Sequence, residues 1–238
     1  MGPVRGNAVL RGDLRARSGS RKVWILQAVY LGVLGALVFL GLPPELGRFA
    51  ESHETSLYIA VVWVQVVLVT YCASACLVQE IAVEGEKGPG DLLFAPFSPG
   101  TIIAGKSLAS LVTIAFWLAL GAPLLVLATA IRQIPAGVLL PVAALIAVVA
   151  WGIAQIGLLY NVLFEAEFSR ILAHWTTLIA VFVGTDALPP AVRSLNPIVA
   201  TTAAANGTPP VAAMGAYAAL GILCALWAHE RLRRVAAA

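Results

Sequence analysis

The sequence has little charge for its length. Asp, Glu, Lys and Arg make up only 11% of its 238 residues, whereas about 25% is usual in soluble domains. Because 60% of the residues are hydrophobic, the chain has too few polar side chains to cover a folded surface in water. The composition therefore excludes a soluble globular protein and predicts that the lipid bilayer surrounds most of the chain.

Cysteine, histidine and net charge are also low. The three Cys all lie in apolar runs, and the three His are scattered. Cys72 and Cys76, which share one helix face, are too few ligands for a metal site. A net charge of +3 is too small to indicate nucleic-acid binding. No polar stretch is long enough for a nucleotide-binding or extracellular domain. We therefore expect one membrane domain, with no catalytic site, metal or cofactor in this chain.

Six apolar runs meet or approach the roughly 20 residues that a spanning helix needs. The predicted spans are 23–42, 57–78, 101–131, 136–163, 171–188 and 211–228. The fifth run is the shortest. The apolar segment after it, 191–205, is too short to span and is expected to be re-entrant or interfacial. The predicted fold class is an all-α, polytopic membrane protein.

The segments outside the spans carry most of the positive charge. Residues 1–22 are predicted to hold a short interfacial helix, and 229–238 to form a tail. With six spans, twelve Lys and Arg fall on the side of the two termini and three on the other. The positive-inside rule then places both termini in the cytoplasm. The preference for Arg over Lys and the abundance of Ala indicate a bacterial source, and hence the inner (plasma) membrane.

The loop between the second and third spans is the most informative segment. Gln79–Lys87 is predicted to extend the second helix, and Gly88-Pro89-Gly90 to end it. Asp91 then begins one short turn. Ser98 and Pro99 are predicted to be the N-cap and first residue of the third helix. The apolar residues of the short turn are Leu92, Leu93, Phe94 and Phe97.

Exposed apolar side chains in this turn would be costly without a surface to pack on. Two interpretations remain open from the residues alone. The turn is either a docking point for a cytoplasmic partner, or it rests on the protein's own helix ends or on the membrane surface.

The loop resembles that of the permeases of type-2 ABC exporters, which reads Glu-Arg-Glu-x-Gly-Thr, then Leu-Leu, Pro-x-Ser and Gly-Lys. The matching residues are Glu84, Glu86, Gly88, Leu92, Leu93, Pro96, Ser98, Gly105 and Lys106. Asn7–Arg17 is similar to the family's amphipathic N-terminal helix, and Leu195-Asn196-Pro197 to another recurring element. The chain departs from the pattern at Gly85, where Arg is usual, and at Pro89, where Thr is usual.

The resemblance implies that the 88–98 turn is a coupling helix, which docks a separate cytoplasmic ABC ATPase and transmits its closure to the spans. It also implies a second permease chain, identical or related, and ATP bound only in the partner. The docking residues would be Glu84, Glu86, Gly88, Asp91, Leu92, Leu93, Phe94, Pro96, Phe97 and Ser98. The alternative function is a structural or regulatory membrane subunit without transport activity of its own.

Gly100–Ser107 matches the Walker A pattern G-x-x-x-x-G-K-S, but the context is wrong for a phosphate-binding loop. A helix that begins at Ser98-Pro99 commits those amides to helical hydrogen bonds. Lys106 is instead expected to extend its side chain towards the membrane interface.

Polar residues and prolines within the spans have two interpretations each. The polar residues are Gln27, Gln65, Gln155 and Asn161. They either line a translocation path or join helices by hydrogen bonds. None of these four is ionisable, which argues against a proton relay and so against a secondary transporter. The lack of ionisable residues within the predicted spans also argues against an intramembrane enzyme. Pro123 and Pro141 are expected either to kink their helices or to serve packing alone.

Overall fold

The computed structural model describes residues 21–40, 56–84, 98–131 and 134–237, with the side chains of 22, 56, 76–84, 236 and 237 outside that description. The helices are α1 Arg21–Leu40, α2 Ser56–Glu84, α3 Pro99–Ile131, α4 Leu139–Leu163, α5 Glu167–Phe182, α6 Pro190–Arg193, α7 Pro197–Ala205 and α8 Val211–Ala237. Two 3-10 turns, Ala136–Val138 and Gly184–Ala187, precede α4 and follow α5. These described ranges contain no strand.

Six of the helices in the described ranges, α1 to α5 and α8, are long and apolar enough to cross a bilayer. The prediction of an all-α, multi-pass membrane protein is therefore confirmed. The interfacial helix predicted within 1–22 falls outside the described residues as far as residue 20, and residues 21 and 22 belong to α1.

α2 and α4 form the centre of the bundle. α4 packs against α2, α3, α5, α7 and α8, while α2 also contacts α1, α3, α5 and α7. In the α2 span 61% of the residues are buried within the protein, against 17% in α1 and in α5. Because so little of α1 and α5 is buried, these two helices lie at the edge of the bundle. Helices in lipid associate through close packing and hydrogen bonds, because the lipid tails are as apolar as the side chains.

The start of α3 agrees with the sequence. The Ser98 hydroxyl accepts a hydrogen bond of 3.3 Å from the backbone N–H of Thr101, as an N-cap does. Pro99 is the first helical residue, where its missing N–H costs nothing. Residues 100–107 lie within α3. Lys106 does not extend to the interface as expected but is 1% exposed, because its face of α3 is turned into the bundle.

α5 begins earlier than predicted, at Glu167 instead of residue 171. The charges of Glu167 and Arg170 suggested a connecting loop, yet both belong to the helix, and Arg170 is buried. α8 also continues past 228 to Ala237. Glu230 pairs there with Arg233 and Arg234 at i, i+3 and i, i+4 spacing, which supports a helix.

The two prolines differ in effect. Pro123 lies inside α3, where it removes a helical hydrogen bond. Pro141 is the third residue of α4. An N–H in the first turn has no partner within the helix, so Pro141 does not break the ladder and the expected kink has no cause there.

The apolar segment 191–205 is exposed at 191–194, and its remainder packs against other helices. α7 contacts α2, α4 and α5, with Pro197, Ala200 and Thr201 among its buried residues. Trp63 Nε1 of α2 donates a hydrogen bond of 2.8 Å to Thr202 Oγ1. The small residues of α7 let its backbone approach its neighbours closely.

Candidate functional site

The predicted docking turn falls mostly outside the described residues. Glu84 is the last residue of α2 and Ser98 caps α3, so the structure fixes the two ends of the turn. The other predicted docking residues, Glu86, Gly88, Asp91, Leu92, Leu93, Phe94, Pro96 and Phe97, lie in 85–97, outside the described part of the chain.

α2 and α3 are longer than a membrane crossing requires. α2 has 29 residues and α3 has 33, which correspond to roughly 43 and 49 Å at about 1.5 Å per residue. The hydrocarbon core of a bilayer is only about 30 Å thick. Both helices therefore have length to spare, and in α2 the 76–84 turns extend the span towards the predicted docking turn.

Several helix ends meet at this end of the bundle. His229, near the end of α8, lies beside Gly100 at the start of α3. Ser107 of α3 donates a hydrogen bond of 2.8 Å to Gln155 Oε1 of α4. This end, where α2, α4 and α8 end and α3 and α5 begin, is termed the turn end. Gln155 joins two helices there, which supports the hydrogen-bonding interpretation for this residue.

A buried polar cluster lies between α5 and α2 near the turn end. Arg170, His174 and Leu178 are the buried residues of α5, spaced four apart so that they form one stripe. His174 Nε2 lies 3.0 Å from Ser74 Oγ of α2. The Ser74 hydroxyl also lies 2.6 Å from the backbone carbonyl of Thr70. Two residues with ionisable side chains thus occupy the inward face of a spanning helix.

The expectation that the spans carry no ionisable group is wrong. Lys106, Arg170 and His174 all lie in helices that can cross the bilayer and are all buried. Arg170 falls just before the predicted fifth span, 171–188, whereas His174 and Lys106 lie within predicted spans. The i, i+4 spacing of Arg170 and His174 on one face of an apolar run is the signal that was available.

Of the Cys72–Cys76 pair, the side chain of Cys76 lies outside the described residues. Cys72 is buried. Within the described residues no group of three or more His, Cys, Asp or Glu is placed to hold a metal ion.

Comparison of the chain with known protein families and with curated proteins gives no match. The basis for its function is therefore its own residues and architecture.

Proposed function

We propose that this protein is the membrane-spanning permease subunit of an ATP-binding cassette exporter, with a separate ATPase docked at the 88–98 turn. The observation that carries the proposal is the pairing of two overlong helices, α2 and α3, on either side of that turn. α2 is also the most buried span. A force applied at the turn would therefore act directly on the centre of the bundle.

The mechanism follows from this arrangement. ATP binding closes two ATPase subunits, which displace the coupling turns of two permease chains. α2 carries the displacement to α4 and α7, which it contacts, and the spans change between inward and outward access. In this proposal the turn end and both termini face the cytoplasm, and the protein lies in the inner (plasma) membrane of a bacterium. The permease itself has no catalytic role.

Co-purification tests the proposal. The full chain, purified from native membranes in mild detergent, should bring down an ABC ATPase. The triple variant Leu92→Ser, Leu93→Ser, Phe94→Ser should lose it, because the apolar docking surface is gone. The matched control is Phe39→Ser with Leu40→Ser, since both side chains are highly exposed, at 74% and 79%, at the opposite end of the bundle.

Two results would contradict the proposal. One is the absence of any ATPase in the wild-type preparation. The other is an equal loss of ATPase in the control variant, which would indicate general damage instead of a docking surface. Transport that continues without ATP would instead favour a secondary transporter. The buried, ionisable side chains of Arg170 and His174 remove the sequence-based argument against that class.

A further inference from the structure

Arg170 is largely buried and lies on the inward stripe of α5. Its residue exposure is 7%, and its Nε has no hydrogen-bond partner. The neighbouring carboxylates Glu165 and Glu167 are exposed, and no ion pair joins either of them to Arg170. A guanidinium does not lose its proton in a protein, so burial cannot be relieved by neutralisation. An uncompensated buried charge costs several kcal/mol, which indicates that an anion belongs beside it.

His174, one turn further along α5, has an unused nitrogen. The Ser74 hydroxyl has a single hydrogen, and its short contact to the Thr70 carbonyl accounts for it. Ser74 therefore accepts from Nε2–H of His174. Nδ1 is then left buried without a partner, in a side chain that is only 3% exposed. In the neutral ring of this tautomer Nδ1 carries a lone pair, so it accepts from a protonated phosphate oxygen (P–OH); it donates to a charged oxygen only when the ring takes up a second proton.

These two nitrogen groups are suitably spaced for an oxyanion. Residues four apart on a helix have Cβ atoms about 5–6 Å apart, a separation that one phosphate group with several oxygens can bridge. Guanidinium groups bind phosphate oxygens with paired hydrogen bonds. The stripe of α5 that would hold apolar side chains in an ordinary packed helix holds two anion-binding groups instead.

The depth of the pair favours a lipid as the source of the anion. Arg170 and His174 lie three and seven residues into α5, about 5 and 11 Å along its axis. The exposed Glu165 and Glu167 mark the polar boundary just outside. The other faces of α5 are open to the bilayer, with Leu172, Trp175 and Ile179 about half exposed. A lipid whose tails lie along α5 would have its phosphate near this level.

We propose that Arg170 and His174 bind the phosphate group of an anionic amphiphile, between α5 and α2 at the turn end. The binding site itself is inferred from the geometry of α5. The further inference that the exporter takes up its substrate at this site rests on the proposed function. The transported class would then be a phosphate-bearing lipid or lipid-linked molecule, and neutral hydrophobic drugs would be excluded.

Thermal unfolding of the purified full chain in a neutral detergent tests the site without any ATPase, so its failure leaves the permease proposal in place. Dioctanoyl phosphatidic acid should raise the melting temperature in a concentration-dependent way. Dioctanoylglycerol, which has the same tails and no phosphate, should not. In Arg170→Gln the phosphatidic acid concentration that gives half of the maximal stabilisation should be at least tenfold higher than in the wild type. In Arg170→Lys the increase should be smaller.

The matched control is Arg193→Gln. Arg193 is a half-exposed arginine paired with Asp186 at 2.8 Å, away from the turn end, and its loss should leave the titration unchanged. Without lipid, Arg170→Gln should unfold at the wild-type temperature or above, because an unpartnered buried charge has been removed. A lower melting temperature without lipid would overturn the proposal by showing that Arg170 is structural.

Three further outcomes decide the site. Equal responses to phosphatidic acid in wild type and Arg170→Gln would overturn it, as would an equal response to dioctanoylglycerol. Inorganic phosphate that binds as tightly as phosphatidic acid would support the anion site and overturn the lipid as its source. His174→Gln, which keeps Arg170, should raise the phosphatidic acid concentration needed for half of the stabilisation at least tenfold as well, and an unchanged concentration would also overturn the site.

Discussion

Gly152 of α4 lies against the backbone of Tyr217 in α8. A Cβ atom at position 152 would be 2.6 Å from the carbonyl oxygen of Tyr217, a distance that no real side chain tolerates. One turn further along α8, a Cβ on Gly221 would lie 2.6 Å from the ring of Trp151 and 3.1 Å from the Gly152 Cα. The α4–α8 contact is therefore built on two glycines that let the backbones meet.

Gly152→Ala should destabilise the protein, because the clash is with backbone and cannot be relieved by a rotamer change. Overpacking of this kind costs about 1–3 kcal/mol, which we expect to appear as a lower melting temperature in detergent. Gly215→Ala in α8 is the matched control. It has open space around its Cβ position and should leave the melting temperature unchanged or slightly higher. Equal effects of the two substitutions would contradict the packing argument.

Gly121 in α3 makes room for Tyr30 of α1 and Gln65 of α2. A Cβ at 121 would overlap the Tyr30 hydroxyl and lie 2.9 Å from Gln65 Nε2. The Tyr30 hydroxyl donates a hydrogen bond of 3.1 Å to the carbonyl of Trp117. Gly121→Ala should therefore loosen α1 from the bundle.

A double-mutant cycle identifies the cause. Tyr30→Phe removes the overlapping oxygen, so Gly121→Ala should cost less in the Tyr30→Phe background than in the wild type, by about 0.5–3 kcal/mol of coupling. Stability is measured by denaturant or thermal unfolding in detergent. If the stability effects of Gly121→Ala and Tyr30→Phe are strictly additive, the strain does not lie between these two residues.

The sequence predicts the spans better than it predicts what faces the bundle interior. Runs of apolar residues locate the six crossings, and Ser98-Pro99 locates the start of α3, because these signals depend only on neighbouring residues. The predictions for Arg170 and Lys106 were wrong, because their burial depends on residues far away in the chain. A charge at the end of an apolar run is normally exposed, and only the packing of α5 and α3 against other helices buries these two.

The internal hydrogen bonds could not be predicted for the same reason. Ser74 and His174 are 100 residues apart in the chain, and Ser107 and Gln155 are 48 apart. Polar residues within spans indicate that such bonds exist, but which residues pair depends on tertiary contacts that no local pattern records.

Asn196 holds the segment between α5 and α8 in place. Its Oδ1 accepts from the backbone N–H of Ile198 at 2.8 Å and caps α7. Its Nδ2 donates to the Phe182 carbonyl at 3.1 Å and to Thr185 Oγ1 at 2.9 Å. Asn196 is 1% exposed, so each lost partner leaves a buried group unsatisfied.

Asn196→Ala should cost about 2–4 kcal/mol, from a lost cap of about 1 kcal/mol and from unsatisfied partners. Asn196→Ser keeps a capping oxygen but loses both amide donations, so its melting temperature should fall between those of Asn196→Ala and the wild type. The order wild type, Ser, Ala is the expected result. A Ser variant as unstable as Ala would mean that the cap contributes nothing.

Substitutions at the Ser107–Gln155 hydrogen bond test whether Gln155 only joins two helices or lines the translocation path. Ser107→Ala leaves buried Gln155 without its hydrogen bond, since its Nε2 already has no partner, and should cost about 1–3 kcal/mol. Adding Gln155→Leu to Ser107→Ala should recover most of that loss, because the polar group is removed. A Gln155→Leu variant that stays folded but loses transport would instead assign Gln155 to the translocation path.

The sidedness of the bundle is tested by labelling two arginine positions. Arg193 lies between α5 and α7, and Arg234 lies near the end of α8; their side chains are 54% and 70% exposed. In a background carrying Cys72→Ala, Cys76→Ala and Cys224→Ala, a membrane-impermeant maleimide should label Arg193→Cys in intact cells. It should label Arg234→Cys only after the cells are opened, because the positive-inside rule places the α8 end in the cytoplasm. The opposite pattern would put the 88–98 turn outside the cell, where no cytoplasmic ATPase can reach it.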